Sequence, residues 1–206
     1  MKKAIIFLSL LTALSSAGMA QDPAADVKEN LLAIDQLCQN IREKGFTRVD
    51  TIRFDCPQTP DYGMVRYYIQ DNEVRYIEIE GSDQSHSDYL KRFYLKDQLP
   101  VMVRIRLESW SFSGNPPDDG SPAPTSEHFY ESIFYAKDGK GLLCQERSYS
   151  VSSDSISLVN ADDYPLETMH CSFFAEFVLP DFHDLMKVYA ARKKKHNCLF
   201  ELLDPR

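Results

Sequence analysis

Glycine is scarce and tryptophan nearly absent, with eight and one respectively among 206 residues. So few glycines leave the chain without a loop able to bring backbone N–H groups onto a phosphate. No G-x-S-x-G, H-E-x-x-H or calcium-loop pattern occurs either, so the short motifs of hydrolase, zinc-protease and EF-hand chemistry are missing. No C-x-x-C pair is present to nucleate a structural zinc site. After the first 20 residues no apolar run reaches the length of a membrane-spanning helix.

What the chain does have begins at its amino end. Lys2 and Lys3 precede an apolar run from Ile5 to Leu14, followed by a mostly small-residue exit from Ser15 to Ala20. This is the layout of a secretory signal peptide over residues 1–20, with cleavage expected after Ala20. The paired lysines and short apolar run point to a bacterial export signal, hence to a periplasmic or secreted protein. Removing it leaves 21 basic against 31 acidic residues, a formal charge of −10. An acidic domain repels phosphate backbones and anionic lipid heads, so nucleic acid and membrane surfaces are excluded as expected partners. The run Arg192 to Lys195 reads as a solvated helix end.

Residues 21–206 are long enough for one domain with a real core. Val27, Leu31, Ile34, Cys38 and Ile41 recur at helical spacing, so a helix is expected over 23–44, with Asp22 as N-cap and Gly45 as its stop. Cys38 falls inside the apolar stripe and is expected to be a free, buried thiol. The other four cysteines, Cys56, Cys144, Cys171 and Cys198, are disulfide candidates in an oxidising compartment.

The middle of the chain carries an internal repeat. Tyr67-Tyr68-Ile69-Gln70-Asp71-Asn72 is echoed by Phe93-Tyr94-Leu95-Lys96-Asp97-Gln98 and by Phe134-Tyr135-Ala136-Lys137-Asp138-Gly139. Each ends on residues that tolerate the positive φ of a two-residue hairpin turn. Three hairpins are therefore expected, at 64–80, 89–112 and 127–151, with a proline-rich loop at 114–125 between the second and third. Each aromatic pair must send one ring to each face of the sheet. Leu99, Val101, Val103, Ile105 and Leu107 alternate toward one face, expected to be the core under the amino-terminal helix. Met102, Arg104, Arg106, Glu108 and Trp110 alternate toward the other. Phe46 to Phe54 reads as a first strand, Leu158-Val159 as a short one and Met169 to Val178 as a further strand. Leu179-Pro180-Asp181 opens a last helix reaching about Lys195, with Phe182, Leu185, Met186 and Tyr189 inward.

The fold class is α+β: an amino-terminal helix, an antiparallel meander of six to eight strands built on three hairpins, and a carboxy-terminal helix, both helices covering one face. The surface residues singled out for ligand binding are Met102, Arg104, Arg106 and Trp110, since aromatic and arginine side chains bury large areas at low entropic cost. A non-enzymatic binding module for a protein or small apolar ligand is expected, with no metal and no cofactor. Two alternatives stay open. One is an envelope hydrolase using a thiol, with His170-Cys171 and His196-Asn197-Cys198 as candidates, or a carboxylate pair among Glu78, Glu80 and Glu108. The other is an inhibitor or immunity-type protein that plugs a cleft with the proline-rich loop.

Overall fold

The computed structural model describes residues 23–55, 62–82, 86–114, 123–152, 160–191 and 195–196. The expected leader, Asp22, Cys56, Leu158-Val159, Cys198 and the centre of the proline-rich loop (115–122) lie outside the described residues.

Helix α1 spans Pro23–Glu43. Seven strands follow in an unbroken antiparallel meander: β1 (Arg48–Asp55), β2 (Tyr62–Gln70), β3 (Glu73–Ser82), β4 (Ser87–Lys96), β5 (Leu99–Phe112), β6 (Thr125–Lys137) and β7 (Lys140–Ser152). A short β8 (Glu167–Met169) pairs antiparallel with β7, giving eight antiparallel strands. The chain then turns helical over 172–190, through a π-helical turn at Phe174–Val178 and α2 at Leu179–Ala190. A two-residue β9 (Lys195–His196) lies parallel against β1. The sheet order is β8-β7-β6-β5-β4-β3-β2-β1-β9.

The three repeats are the three hairpins β2–β3, β4–β5 and β6–β7. Asp71, Asn72, Asp97, Gln98, Asp138 and Gly139 all have φ between 51° and 74°. Two consecutive positive φ angles define the turn whose twist matches that of the flanking strands. Each hairpin also has a register shift just past its aromatic pair, at Tyr68/Ile69, Tyr94/Leu95 and Tyr135/Ala136. The extra residues opposite these steps are Arg75, Val101 and Leu142.

The bulge at Val101 overturns part of the alternation read from sequence. Pro100 pairs with Leu95 and Met102 with Tyr94, so Val101 is the unpaired residue. It turns to the same side as Met102 and is buried with Ile34, Cys38 and Ile41 of α1. Leu99 and Leu107 are exposed, leaving Val103 and Ile105 of the expected set on the opposite side.

The helices consequently pack on opposite faces, not on one as expected. On one face the helical run covers Phe54, Val65, Tyr67, Ile77, Phe93, Val103 and Phe134, using Val178 of the π-helical turn and Phe182, Leu185 and Val188 of α2. The Phe174 ring packs tilted against Phe134 and Phe182 against Phe93, and the buried Tyr67 hydroxyl donates to the Leu185 carbonyl at 2.9 Å. The helical run thus crosses the sheet obliquely from β6–β7 to β1–β2. Lys91 of β4 meets Asp181, in the first turn of α2, at 3.0 Å. Each fully buried Phe on this side is worth about 2–3 kcal/mol of apolar burial.

On the other face α1 lies over the second member of each aromatic pair, Tyr68, Tyr94 and Tyr135, together with Tyr76 and Met102. One ring of every pair does point each way. The segment read as a strand from Met169 is instead strand only to Met169, then helix. Its apolar residues Phe174 and Val178 are buried four apart, the helical period winning over the strand period.

Cys144 and Cys171 form a disulfide with Cα atoms 5.4 Å apart. It fastens the start of the helical run to β7. Gly141 makes room for it: a Cβ there would come within 2.8 Å of the Cys171 Cβ. Cys38 is free and buried, as its place in the stripe implies. No helix among the described residues is long and apolar enough to cross a membrane.

Candidate functional site

Helix α1 covers only the end of its face nearest the three turns. Beyond its footprint the same face continues as rows of side chains set by strand register. The first row runs Arg66, Glu78, Arg92, Arg104, each directly opposite the next. The second runs Glu80, Leu90, Arg106, Glu131, Arg147. Farther out come Asp88 opposite Glu108, Phe129 opposite Tyr149, and Trp110 opposite Glu127.

Two carboxylates organise the rows. Glu78 accepts from Arg66 at 3.0 Å, Arg92 at 3.1 Å and the Tyr76 hydroxyl at 2.9 Å. Burial alone would raise its carboxyl, but the Tyr76 hydroxyl and the guanidinium groups of Arg92 and Arg66 outweigh it and hold the group below its ordinary value. Glu131 sits between Arg104 at 2.5 Å and Arg147 at 2.6 Å. Burial again opposes ionisation, and the two arginines again prevail. Arg147 also donates to the carbonyls of Ala161 and Tyr164, and Tyr149 stacks on Tyr164 at 4.2 Å. The segment around 161–164 therefore closes the β7 end of this face.

Of the four residues expected to bind a ligand, the structure brings two together. Arg104 and Arg106 lie side by side on β5 and, with Leu90, Arg92 and Glu131, line a small cavity of about 100 Å³. Met102 is partly buried against α1 and belongs to that core. Trp110 sits at the far end of the strand, its ring tilted against His86 with centroids 4.1 Å apart and edge-on to Phe112 at 5.4 Å. Arg92 is the member sequence reading missed. Counting back from the Asp97-Gln98 turn reaches it only once the bulged Val101 is allowed for, which sets Arg92 opposite Arg104.

The expected carboxylate sites are engaged elsewhere. Glu80 is held by Arg66 at 2.7 Å and Glu108 by Arg106 at 2.7 Å. Cys171 has no thiol while bridged to Cys144. The Cys38 thiol is pushed up to about 12 by burial and by the nearby Asp35, so it holds its proton at neutral pH. Cys198 lies outside the described residues. No group of three potential metal ligands occurs among the described residues.

A larger groove of about 840 Å³ opens on the α2 side, between Arg48–Ile52 of β1 and Met186 and Tyr189 of α2. Three of its polar groups satisfy one another: Arg48 meets Asp50 at 3.0 Å and Tyr189 at 3.1 Å, and the Tyr189 hydroxyl donates to Asp50 at 3.4 Å. On the same side His128 bridges Ser111 and Ser150 at 2.8 Å each, a polar ladder across three exposed strands. Neither concentrates unused hydrogen-bonding capacity as the arginine cavity does. No protein-family model matches the chain, and comparison with curated proteins and with solved structures returns no match.

Proposed function

We propose that the protein is an exported binding module that recognises a partner protein through the part of the α1-side face left open by the helix. The observation that carries this reading is a mismatch of charge on β4 and β5. Arg92 faces Arg104 and Asp88 faces Glu108. Like charges directly opposite on one face are destabilising within a sheet; Glu78, Glu131 and Arg106 offset part of this, and a partner of complementary pattern would offset the rest. The three arginines are between 37% and 48% exposed, so the strip is accessible. The chain's leader-like start and its disulfide both fit an exported protein.

A photo-crosslinking residue placed at Leu90 and at Trp110, in the protein expressed in its own cells, tests the reading. Lys187, on the far side of the molecule, is the control. A discrete adduct from Leu90 and Trp110 that is absent from Lys187 is the expected outcome. Adducts from Lys187 alone would place recognition elsewhere.

A further inference from the structure

The arginines of the open face fall into two groups by how their guanidinium groups are used. Arg66 places both Nη groups on Glu78 and Glu80. Arg147 spends its Nε on Glu131 and an Nη on two carbonyls. Arg92, Arg104 and Arg106 behave differently. Each directs only Nε at a carboxylate of its own sheet: Arg92 at Glu78, Arg104 at Glu131, Arg106 at Glu108. Among the described residues no acceptor meets Nη1 or Nη2 of any of the three. A guanidinium offers five N–H donors in a rigid fork suited to carboxylate and phosphate oxygens. Three such forks with their outer prongs unspent border one cavity, which also has the side chain of Leu90 in its wall.

Their orientation is fixed by the sheet. Glu78 holds Arg92 beside Arg66 and Glu131 holds Arg104 beside Arg147, so each of these two guanidinium groups is anchored from its own side of the cavity. Arg106 is steadied by Glu108 and by the Phe129 ring, whose centroid is 5.9 Å from its Cζ. Preorganised donors of this kind bind an oxyanion with little ordering cost.

The acidic pair tells what bears that oxyanion. Asp88 and Glu108 lie four residues along their strands from Arg92 and Arg104, about 13–14 Å away at the rise of an antiparallel strand. Asp88 is exposed and has no cationic partner among the described residues. A polyanion lying on the arginines would meet these carboxylates and be repelled. A headgroup whose phosphate and amine are only a few ångströms apart would not reach both. An extended peptide with an acidic residue and a basic one four positions on matches both.

We infer that Arg92, Arg104 and Arg106 form a receptor for a single side-chain carboxylate on an extended polypeptide segment whose basic residue, four positions away, pairs with Asp88. This deepens the partner-binding reading above and rests on it.

The purified protein is titrated with three probes: inorganic phosphate, acetyl-Glu-Thr-Val-Thr-Lys-amide, and the same peptide ending in Glu. Arginine Nε–Hε resonances report the site. The Glu/Lys peptide is expected to shift the signals of all three arginines and to bind at least tenfold more tightly than the Glu/Glu peptide. Arg106→Gln, which leaves Glu131 untouched, should weaken it at least tenfold, and Asp88→Lys should invert the preference between the peptides. Phosphate binding as tightly as the Glu/Lys peptide, or a Glu/Lys affinity unchanged in Arg106→Gln, overturns the inference. Adducts from Leu90 without any peptide preference would sink this inference and leave partner binding standing. Peptide preference without adducts would leave the arginine receptor standing and sink the reading that a partner occupies it in the cell.

Discussion

The two faces of this sheet are built on different principles. The α2 side is an apolar layer continuous from Ile52 on β1 to Cys144 on β7, closed by a helix that crosses it. The α1 side has its apolar core beneath the helix, and two residues farther along β2 to β5 it becomes a lattice of arginine and glutamate. Apolar burial is non-directional and supplies most of the stability. Shared carboxylates are directional, so they fix lateral register and side-chain aim at little net gain. The fold therefore rests on one face and presents its chemistry on the other.

The largest blow to that division should come from the α2 side. Phe182→Ala opens a cavity in the main core and should cost about 3–5 kcal/mol, read as a lowered urea midpoint with unchanged slope. On the α1 side Glu131→Gln should cost nearly as much, about 3 kcal/mol, since Arg147 then stays buried without its counter-charge. A loss under 1 kcal/mol would mean the ion lattice is ornamental.

Acid sharpens the contrast. Glu78 and Glu131 have folded-state pKa values below their ordinary ones. Their contribution is present above the unfolded glutamate pKa of about 4.3 and is lost as pH falls through the lower folded values. Stability should thus be flat above about pH 5 and decline below about pH 4. The double variant Glu78→Gln/Glu131→Gln should show a shallower decline in urea midpoints measured from pH 7 to pH 2.

Smaller effects locate the boundary between the faces. Cys38→Ser puts a hydroxyl into the α1 core and should cost about 1–2 kcal/mol, and wild-type Cys38 should be alkylated only on unfolding. Arg106→Gln should change stability by less than about 0.5 kcal/mol, as expected for an exposed pair, even though it weakens binding.

Much of the architecture was legible in the sequence because it is written in strong local signals. The aromatic pairs and the Asp-Asn, Asp-Gln and Asp-Gly turns gave the hairpins, and the 3-4 spacing from Val27 to Ile41 gave α1. Less was legible where two patterns compete. At Met169 to Val178 alternation and helical period overlap, and only packing against Phe134 decides between them. At Val101 a single bulged residue, invisible in composition, swaps the faces of everything before it. The bulge brings Val101 under α1, and it is the packing of α1 on that face that removes Met102 from the open surface. The site itself was half legible: Arg104 and Arg106 are neighbours on one strand, whereas Arg92 joins them only through strand pairing.

The three hairpins share one turn chemistry and one bulge position, and this bears on how such a chain can change length. A whole hairpin, two strands with its turn, can be added or removed while every later strand keeps its direction. Loss of a single strand would reverse all that follow and send α2 to the wrong end of the sheet. The sheet's width is thus quantised in twos, and insertions within the unit are confined to the joints between hairpins, where the proline-rich segment already sits.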